Sequence, residues 1–551
     1  MPSKLCSVCD SMFKGTLPGY QQPRPHLTHA RLLAAAEFGC YICRTIVNSN
    51  SWVSTYASQH NACFEYKVRF DTKFRRRRFK SLLIAENAEA SDVIWEFRAL
   101  YELDYNDLVA SYTPPPNPLD SALLKLATAW IKECDESHPL CKPTDSTFRP
   151  TRLIQIIDSK LVKLVDPTET PTGQYVAFSH CLGKKKTLKL YHNNLDRLCR
   201  GIQVQSLPKS YQEAISTCLG LNLHFVWIDS LCIIQDSSED RQHEAVRMKL
   251  VYGNSVLNLC SASVVDNSEE SLPARDASLI RPMQVKICWG GEDEEILPLI
   301  YGDIFHDDIL HCPLRKRAWV FQEWYLSPRS LVLARRQLWW HCRQKVACEV
   351  LPNGYQDEER MRTHPSAWRS RVEHYVKTEM TEESDRLIAF SGIAQAFGNS
   401  YSVTHDHLAG LWRCHLPTTL CWYVAHSRTS RSSTYKAPSW TWGPVDGPFE
   451  LCVGARDSAE EKLCVSVEDV WLIYANDQHT TGLVKDGAIK LHGHLLGPEK
   501  AAMISSRKLP YFDDVTIPGY LQGSMMSDEG DQEGRWFLIL TISALEDMKK
   551  T

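Results

Sequence analysis

The sequence lacks an apolar run that approaches the roughly 20 residues needed to cross a bilayer, so we expect no membrane span. It also lacks a charge excess, because 62 Lys and Arg residues against 66 Asp and Glu residues give a formal net charge of -4. Such a balance does not favour DNA or an anionic membrane as the principal partner. Two nucleotide-binding signatures, GxxxxGK[ST] and a GxGxxG after a strand, are absent, which argues against a nucleoside triphosphatase and a dinucleotide oxidoreductase.

The N-terminal segment MPSKLCSVCD has no apolar core of a secretory signal, so we expect the 20 cysteines of the chain to stay mostly reduced. This expectation places the protein in the cytoplasm, with the nucleus as an alternative. The basic run FRRRRFK (Phe74 to Lys80) is typical of a solvated strand edge and also fits a nuclear-localisation signal. With 551 residues, 43% of them hydrophobic, the chain has enough apolar material for several packed cores.

Four N-terminal cysteines form two CxxC pairs, Cys6 with Cys9 and Cys40 with Cys43. Paired thiolates from two such knuckles match the tetrahedral coordination of a structural zinc ion. The intervening segment LTHARLLAAAEFGC has the pattern of a short amphipathic helix, which would bring the second pair back beside the first. The spacing therefore predicts a structural zinc site, and simple packing of the four thiols is the alternative that fits the same residues.

Further cysteine and histidine residues leave the ligand set open. His26 or His29 could replace one of the four thiols. A second group, Cys134, His138 and Cys141 in CDESHPLC, follows the helix-like segment LDSALLKLATAWIKE. It fits half of a second metal site, but packed thiols at a helix end are the interpretation that we favour.

Changes in composition and in predicted secondary structure along the chain indicate three domains. They are a Cys-rich N-terminal region with a zinc module over residues 1–145, an α/β domain over 146–350, and an α+β region over 351–551. In the middle domain the patterns run strand, helix, strand, helix, strand, from QYVAFSHCLG to SVLNLCSAS. This order is typical of a parallel sheet with right-handed crossovers. For the third region we predict two helices, a third helix over LWRCHLPTTLCWYVAHS, and then short strands.

Polar side chains occur at the end of the strand predicted over HFVWIDSLCII (residues 224–234) and directly after it. A strand that served only as core would close on turn residues, whereas this one has Asp229 and Ser230 near its end and is followed by Gln235 and Asp236. Open α/β sheets bind ligands outside the carboxyl ends of their strands. These four residues are therefore predicted to line a binding site, although an aspartate at such a position also often holds a turn.

Five motifs in order, YVAFSHCLG, LPKSYQEAI, FVWIDSLCIIQD, RMKLVYGNS and PLRKRAWVFQEWYLSPRSLVL, resemble the successive motifs of the fungal heterokaryon incompatibility (HET) domain family. Other segments, among them GCYIC and APSWTWGPVDG, resemble flanking segments common in such proteins. The resemblance implies an α/β fold with a parallel-sheet, TIR-like HET domain core. It also implies a role in fungal nonself recognition and programmed cell death, through self-association or through another incompatibility protein as partner.

HET domains are remotely similar to TIR domains, some of which cleave the nicotinamide glycosidic bond of NAD. Trp319 and Glu323 have the Trp-x-x-x-Glu spacing found around the TIR catalytic glutamate, which implies NAD as substrate, Glu323 as the catalytic carboxylate and Trp319 as part of the nucleotide site. A carboxylate suits this reaction because it stabilises an oxocarbenium-like transition state. Ser179 and Gly183 of the first motif would contribute to the ligand site. A helix that packs Trp319 and Phe321 in a core and pairs Glu323 with Arg317 or Arg329 is the structural alternative.

The first motif departs from the family pattern Ser-Tyr-x-Trp-Gly, because residues 179–183 read Ser-His-Cys-Leu-Gly and two aromatic positions are lost. An aromatic surface that could stack on a ligand is missing there, which favours a non-catalytic, self-associating signalling module. A diverged copy associated with a secondary-metabolite gene cluster is a further alternative. A cysteine enzyme that uses Cys181 or Cys232 beside His180 is disfavoured, because adjacent residues of a strand point to opposite faces.

Overall fold

The described part of the chain, a computed structural model, divides into two compact units. The first unit takes residues 1–241, 250–315 and 327–361, and the second takes residues 242–249, 316–326 and 362–551. The first unit thus contains residues of the first two predicted domains, whose boundaries stay predictions. The structure describes residues 4–16, 23–58, 61–71, 78–86, 94–101, 114–115, 119–143, 145, 147–166, 174–185, 187–271, 275–289, 294–355, 368–382, 385–401, 407–420, 422–423, 430–431, 435–446, 450–451, 465–475, 482–493, 495–496, 520–524 and 535–539.

The strands of the first unit belong to two large sheets. In chain order they are β1 (Lys14–Gly15), β2 (Arg24–Thr28), β3 (Cys63–Asp71), β4 (Arg78–Ala85), β5 (Trp95–Ala99), β6 (Leu153–Ile156), β7 (Leu161–Val165), β8 (Val176–Ser179), β9 (Ile202–Gln203), β10 (Phe225–Trp227), β11 (Leu257–Ser261), β12 (Met283–Trp289), β13 (Glu295–Tyr301), β14 (Arg329–Leu333), β15 (Leu338–Cys342) and β16 (Val346–Cys348).

Helices alternate with the strands along the chain. They are α1 (Ser7–Ser11), α2 (His29–Glu37), α3 (Tyr41–Val47), α4 (Ser121–Ser137), α5 (Leu195–Arg200), α6 (Lys209–Gly220), α7 (Asp229–Cys232), α8 (Ser238–Asn254), α9 (Ala277–Ile280), α10 (Ala318–Leu326), α11 (Trp368–Tyr375) and α12 (Arg386–Tyr401). Short 3₁₀ or π turns occupy Trp52–Tyr56, Pro139–Cys141, His192–Asn194, Val204–Ser206, His306–Leu310, Pro313–Lys316, Arg413–His415 and Thr418–Leu420.

Among the described residues of the first unit, one sheet has the strand order β1-β12-β13-β5-β4-β3-β2, and the other has the order β16-β15-β14-β11-β8-β10-β6-β7-β9. In the second sheet β14, β11, β8 and β10 pair in parallel. The strands on either side of these four pair antiparallel, since short hairpins connect β6 to β7 and β14 to β15. The α/β class predicted from the sequence is confirmed, and the sheet is mixed.

Burial explains why the central strands were recognisable in the sequence. Every residue of β8, β11 and β14 is buried, as expected for parallel strands that are covered on both faces. The predicted helices between them are α6, which follows β8, and α8, which follows β10. Ser237 caps α8, because its hydroxyl accepts a hydrogen bond of 3.1 Å from the backbone N–H of Asp240.

The second unit has a core in which α10 packs with α11 and α12. The side chain of Phe321 contacts Tyr375 and Phe390, at ring-centroid distances of 5.5 and 5.9 Å, and Trp368 lies 5.1 Å from Phe390. Aromatic pairs at such distances stabilise a core beyond the area that they bury. The described strands of this unit are β17 (His407–Leu408), β18 (Leu411–Trp412), β19 (Trp422–Tyr423), β20 (Ser430–Arg431), β21 (Val445–Asp446), β22 (Glu450–Leu451), β23 (Val465–Tyr474), β24 (Val484–Gly493), β25 (Leu495–Leu496), β26 (Tyr520–Ser524) and β27 (Arg535–Ile539).

Two predicted elements differ in the structure. The strand expected to continue towards Ile234 ends at Trp227, and Asp229–Cys232 forms the helical turn α7. The third helix predicted over LWRCHLPTTLCWYVAHS is wrong, since its described residues form short strands and 3₁₀ turns around Pro417, a residue that disrupts helix interiors. Residues 74–77 of the basic run and residues 540–551 lie outside the described residues. Within the described ranges, no helix combines the length and apolarity required to cross a membrane.

Candidate functional site

The first candidate site lies at the carboxyl ends of the parallel strands β8, β10 and β11. We call this region the carboxyl edge, made of residues 179–185, 228–236 and 261–271. The strand β8 lies between the other two, so the chain leaves β8 towards β10 on one side and then crosses to β11 on the opposite side. This arrangement creates a topological switch point, the place where open α/β sheets bind ligands.

A buried hydrogen-bond network joins the ends of β8 and β10. The hydroxyl of Tyr211, on α6, lies 2.7 Å from His180 Nε2 and 2.8 Å from Ser230 Oγ. A phenol has one proton to donate, so Tyr211 donates to one of these atoms and accepts from the other. Asp229 Oδ1 lies 3.7 Å from His180 Nε2 and accepts a hydrogen bond of 2.6 Å from the backbone N–H of Ser230. The side chain of Asp229 is 27% exposed and that of His180 is 1% exposed, so Asp229 is the member of this group that solvent reaches.

The first motif is fixed to β11 and to the loop that follows it. Ser179 donates a hydrogen bond of 3.0 Å to the side-chain oxygen of Asn258, and both residues are buried. Gly183 has a φ of +72°, and a Cβ atom built on it would lie 2.7 Å from the Cα atom of Asp266. Asp266 also accepts a backbone hydrogen bond of 3.1 Å from Lys184. Hydrogen bonds from the backbone and side chain of Ser268, and from the backbone of Lys184, lower the pKa of Asp266 to about 2. The carboxylate is therefore charged, and its hydrogen bond to Lys184 is charge-assisted.

Gln235 and Asp236 hold the segment that precedes α8. The side chain of Gln235 donates a hydrogen bond of 3.0 Å to the carbonyl of Ile233, and its backbone N–H donates to the carbonyl of Leu190 at 2.9 Å. Asp236 Oδ1 accepts from the backbone N–H of His192 at 3.1 Å and lies 3.0 Å from its Nδ1 atom. These contacts join two loops of the first unit.

Glu323 and Trp319 lie on α10, which belongs to the second unit, whereas the other predicted site residues belong to the first. Glu323 is buried, with 4% exposure, and Trp319 is partly buried against the core of the second unit. The helix predicted for this segment is present. Phe321 packs in the core of the second unit, as the structural alternative predicts.

The four N-terminal cysteines come together as the spacing predicted. The Sγ atoms of Cys6, Cys9, Cys40 and Cys43 all lie within 4.8 Å of one another, and those of Cys9 and Cys43 are 3.7 Å apart. Tetrahedral zinc with Zn–S distances of about 2.3 Å separates its ligand sulfurs by about 3.8 Å, so the donor set fits this metal.

Local helix structure positions these four thiols. Cys6 precedes α1 and Cys40 precedes α3, so each CxxC pair turns around the start of a helix. The side-chain hydrogen bonds among the four thiols lower the pKa of Cys6 and raise the pKa of Cys9 and Cys43, so the four groups share their protons as one cluster.

Two nearby histidines, His26 and His29, are the replacement ligands that the sequence offers. His26 Nε2 lies 3.3 Å from Cys9 Sγ, and burial lowers the pKa of His26 to about 4, so the ring is neutral at pH 7. His29 Nε2 instead lies 3.0 Å from the carbonyl of Tyr56. The described residues thus favour four thiolate ligands with His26 as a neighbour of the Cys9 sulfur.

Sequence reasoning missed the residues that connect the predicted positions. Tyr211 lies on α6 and Asn258 on β11, and each would be interpreted from sequence as an ordinary core or strand residue. From the sequence, His180 is distinguished only by the adjacent Cys181 and by standing where the family pattern has a tyrosine. The available signal was a polar residue within an otherwise apolar strand next to β8, as Asn258 is in β11, because a buried polar side chain requires a partner.

Comparison with known proteins finds a family model that matches the segment containing the carboxyl edge. The family model described as "Heterokaryon incompatibility protein (HET)" matches residues 175–323, a segment that runs from the start of β8 to Glu323. No curated protein and no solved structure matches the chain. The match confirms the resemblance found in the ordered motifs: residues 175–323 of this chain form a domain similar to the heterokaryon incompatibility (HET) family.

Proposed function

We propose that this chain is a fungal incompatibility protein that acts in nonself recognition and programmed cell death by hydrolysing NAD, as some TIR domains do. The match over residues 175–323 is the observation that carries the proposal. The same segment has two further features expected of a site, the switch point between β8 and β11 and the Trp-x-x-x-Glu spacing that ends at Glu323.

In this proposal Glu323 acts as a carboxylate on the ribose face of NAD. Departure of nicotinamide creates positive charge on the ribose, and a carboxylate stabilises that charge most where water is scarce. Glu323 is buried, so the surrounding dielectric is low. The leaving group already carries a positive charge in the substrate, so the reaction needs no general acid. Trp319 would shape the nucleotide site.

For the carboxyl edge we propose a ligand-binding role, with Asp229 as the acceptor for a hydroxyl or amide of the ligand. Asp229 is partly exposed and keeps one carboxylate oxygen beyond the Ser230 N–H contact. Ser179, Ser230, Gln235 and Asp236 bond to protein groups in the described structure, so we assign them to positioning of the loops.

The experiment that tests the catalytic proposal is NAD turnover by the purified full-length chain, measured as nicotinamide release over a range of protein concentrations. We expect release that Glu323→Ala abolishes and that Glu295→Ala, a change at an exposed glutamate on β13, leaves intact. Asp229→Asn should raise the KM for NAD more than it lowers kcat. Release that persists in Glu323→Ala at the rate of the unchanged chain would exclude this carboxylate.

A second candidate function, a self-associating signalling module without turnover, is supported by the first motif. The first of the two lost aromatic positions is occupied by His180, whose side chain is buried and lies 2.7 Å from the Tyr211 hydroxyl. A residue in this position strengthens the fold and offers no stacking surface to a ligand. Sedimentation velocity on the same samples separates the two candidates, because concentration-dependent assembly without nicotinamide release supports the module and argues against the enzyme.

A further inference from the structure

A second group of metal-binding side chains lies where the end of α4 meets the β15–β16 hairpin, inside the first unit. Cys134 is in the last turn of α4, His138 follows the helix, and Cys141 ends the adjoining 3₁₀ turn. The fourth member, Cys342, is the last residue of β15 and is far away in sequence. One ligand atom from each residue lies within 4.8 Å of the other three.

The geometry fits a tetrahedral ion better than packed thiols. Cys342 Sγ lies 3.4 Å from His138 Nδ1, and zinc bonds of about 2.3 Å to sulfur and about 2.0 Å to nitrogen separate such a pair by about 3.5 Å. Cys134 and Cys141 are fully buried and Cys342 is nearly so, while all three are free thiols. Three cysteines and one histidine form a standard ligand set of structural zinc.

The residues around the group supply the contacts that zinc thiolates attract. The backbone N–H of Lys345 donates a hydrogen bond of 3.2 Å to Cys342 Sγ, while the N–H of Cys342 donates to the carbonyl of Lys345 at 2.9 Å, so a tight turn holds this thiol. Arg329 Nη2 donates to the carbonyl of Cys141 at 3.1 Å. Three thiolates with one Zn²⁺ carry a net charge of -1, and the Arg329 guanidinium, which also pairs with Asp135 at 2.7 Å, lies beside that charge.

Several contacts already join the two chain segments beside the group. Lys345 Nζ lies 2.8 Å from Glu133, at the end of α4. The backbone N–H of Leu140 donates to the side chain of Gln344 at 2.9 Å, and Arg343 donates to the carbonyl of Leu140 at 2.9 Å. Exposed contacts of this kind stabilise a fold only weakly. Four coordinate bonds to a metal would add a much stronger connection between the end of α4 and the hairpin.

We propose that Cys134, His138, Cys141 and Cys342 bind a second structural zinc ion. The three cysteines bind as thiolates through Sγ and release their protons on binding, and His138 binds as a neutral ring through Nδ1. The ion connects the helix α4 to the edge of the nine-stranded sheet within the described residues. The proposal does not depend on NAD hydrolysis or on self-association.

The direct test is the zinc content of the full-length chain, measured by plasma mass spectrometry after exhaustive desalting. We expect two zinc ions per chain in the unchanged protein. Cys342→Ser should leave one, Cys40→Ser should leave one, and the double variant should leave none. Cys348→Ser is the matched control, because it changes another buried thiol of the same hairpin and should retain both ions.

A second measurement needs no substitution, so it stays informative where a variant fails to fold. Cadmium-113 replaces zinc and its resonance frequency reports the number of thiolate ligands. We expect two resonances of equal intensity, one typical of four thiolates and one typical of three thiolates with one nitrogen. His138→Cys should move the second resonance to the four-thiolate position and keep two ions bound. One zinc ion per unchanged chain, removed by Cys40→Ser and retained in Cys342→Ser, would overturn the proposal, as would a single cadmium resonance.

Discussion

Tyr211 is the residue on which the hydrogen bonds of the carboxyl edge converge, and its hydroxyl is the only atom of the side chain that a phenylalanine would remove. Loss of that hydroxyl leaves His180 Nε2 and Ser230 Oγ buried without their shared partner. An unsatisfied buried polar group costs about 1–3 kcal/mol. We therefore expect Tyr211→Phe to lower the free energy of unfolding by about this amount, measured by urea denaturation.

A double-mutant cycle tests whether this cost comes from the network. Tyr211→Phe and Ser230→Ala remove the two ends of one contact, so the double variant should lose less stability than the sum of the single losses, by about 0.5–3 kcal/mol. Ser49→Ala provides the comparison, because Ser49 accepts from Trp95 instead, and its loss should add to that of Tyr211→Phe. Additivity in both pairs would show that the Tyr211 hydroxyl acts without Ser230.

Gly183 offers a second prediction, because its backbone conformation and its surroundings both exclude a side chain. A Cβ atom there would meet the backbone of Asp266, and the φ of +72° adds a cost for any L side chain. Gly183→Ala should lower the free energy of unfolding by about 2–5 kcal/mol. Gly15→Ala is the matched control, since Gly15 also has a positive φ of +87° but open space around it, and should cost only about 1–2 kcal/mol. Equal losses in the two variants would contradict a steric role of Asp266.

The positions at the carboxyl edge could be predicted because they depend on local order. Ser179 ends the buried strand β8 and Asp229 lies two residues beyond β10, and a parallel sheet brings such positions to one edge. The partners could not be predicted in the same way. Tyr211 reaches the edge from a helix and Cys342 reaches the second metal group from a distant strand, and such contacts depend on packing that one sequence does not display.

At the scale of secondary-structure elements, Arg336 connects the turn His306–Leu310 to the β14–β15 hairpin. Its guanidinium lies 2.8 Å from Asp308 and 3.1 Å from Asp307, and both carboxyl groups are buried. Arg336→Met leaves two buried carboxylates without their cation, so we expect a loss of about 3–5 kcal/mol at pH 8. Lys14→Met, which breaks an exposed ion pair with Asp10, should cost less than about 1 kcal/mol.

The pH dependence of the Arg336→Met variant follows from the same burial. Desolvation raises the pKa of Asp308 in the folded protein above its usual value of 3.8, despite the opposing effect of Arg336. An acid whose folded pKa is raised destabilises the protein above that pKa, and protonation relieves the cost as the pH falls. The stability difference between variant and unchanged chain should therefore shrink between pH 8 and pH 5. A difference that grows as the pH falls would contradict the assigned cause.

The N-terminal helices give a further prediction at this scale. α1 has five residues and α3 has seven, which is too short for either helix to persist without tertiary contacts or a metal. Removal of zinc with a strong chelator should therefore increase amide hydrogen exchange in α1 and α3 by tenfold or more. The β23–β24 hairpin of the second unit is the internal control and should keep its exchange rates. Exchange in α1 and α3 that the chelator does not alter would argue for packed thiols.

Secondary-structure prediction failed where an apolar run was short enough to fit either class. FVWIDSLCII is apolar through Ile234 except for Asp229 and Ser230, yet Trp227 ends the strand and α7 begins two residues later. Longer amphipathic segments were predicted correctly, as α4 and α8 show. The difference arises because a helical repeat that is sustained over 17 residues is distinctive, whereas four apolar residues are compatible with a strand or with one helical turn.

At the scale of the whole molecule, the family match and the compact units do not coincide. Residues 318–323 belong to the matched segment, but α10 packs in the core of the second unit. A division of the chain by position alone, such as the predicted boundary at residue 350, therefore leaves α10 with the first part. The predicted boundaries stay predictions, because composition changes along a chain cannot show that one helix returns to a later core.

This assignment of α10 predicts the outcome of calorimetry on core variants. If the two units unfold separately, Phe321→Ala should shift the transition that Phe390→Ala also shifts, because the two rings pack in one core. Each change should cost about 3–5 kcal/mol. Leu331→Ala, in β14 of the first unit, should shift the other transition. If Phe321→Ala and Leu331→Ala moved one transition together and Phe390→Ala moved another, α10 would be stabilised by the first unit, and Glu323 would belong energetically with the strands of the carboxyl edge.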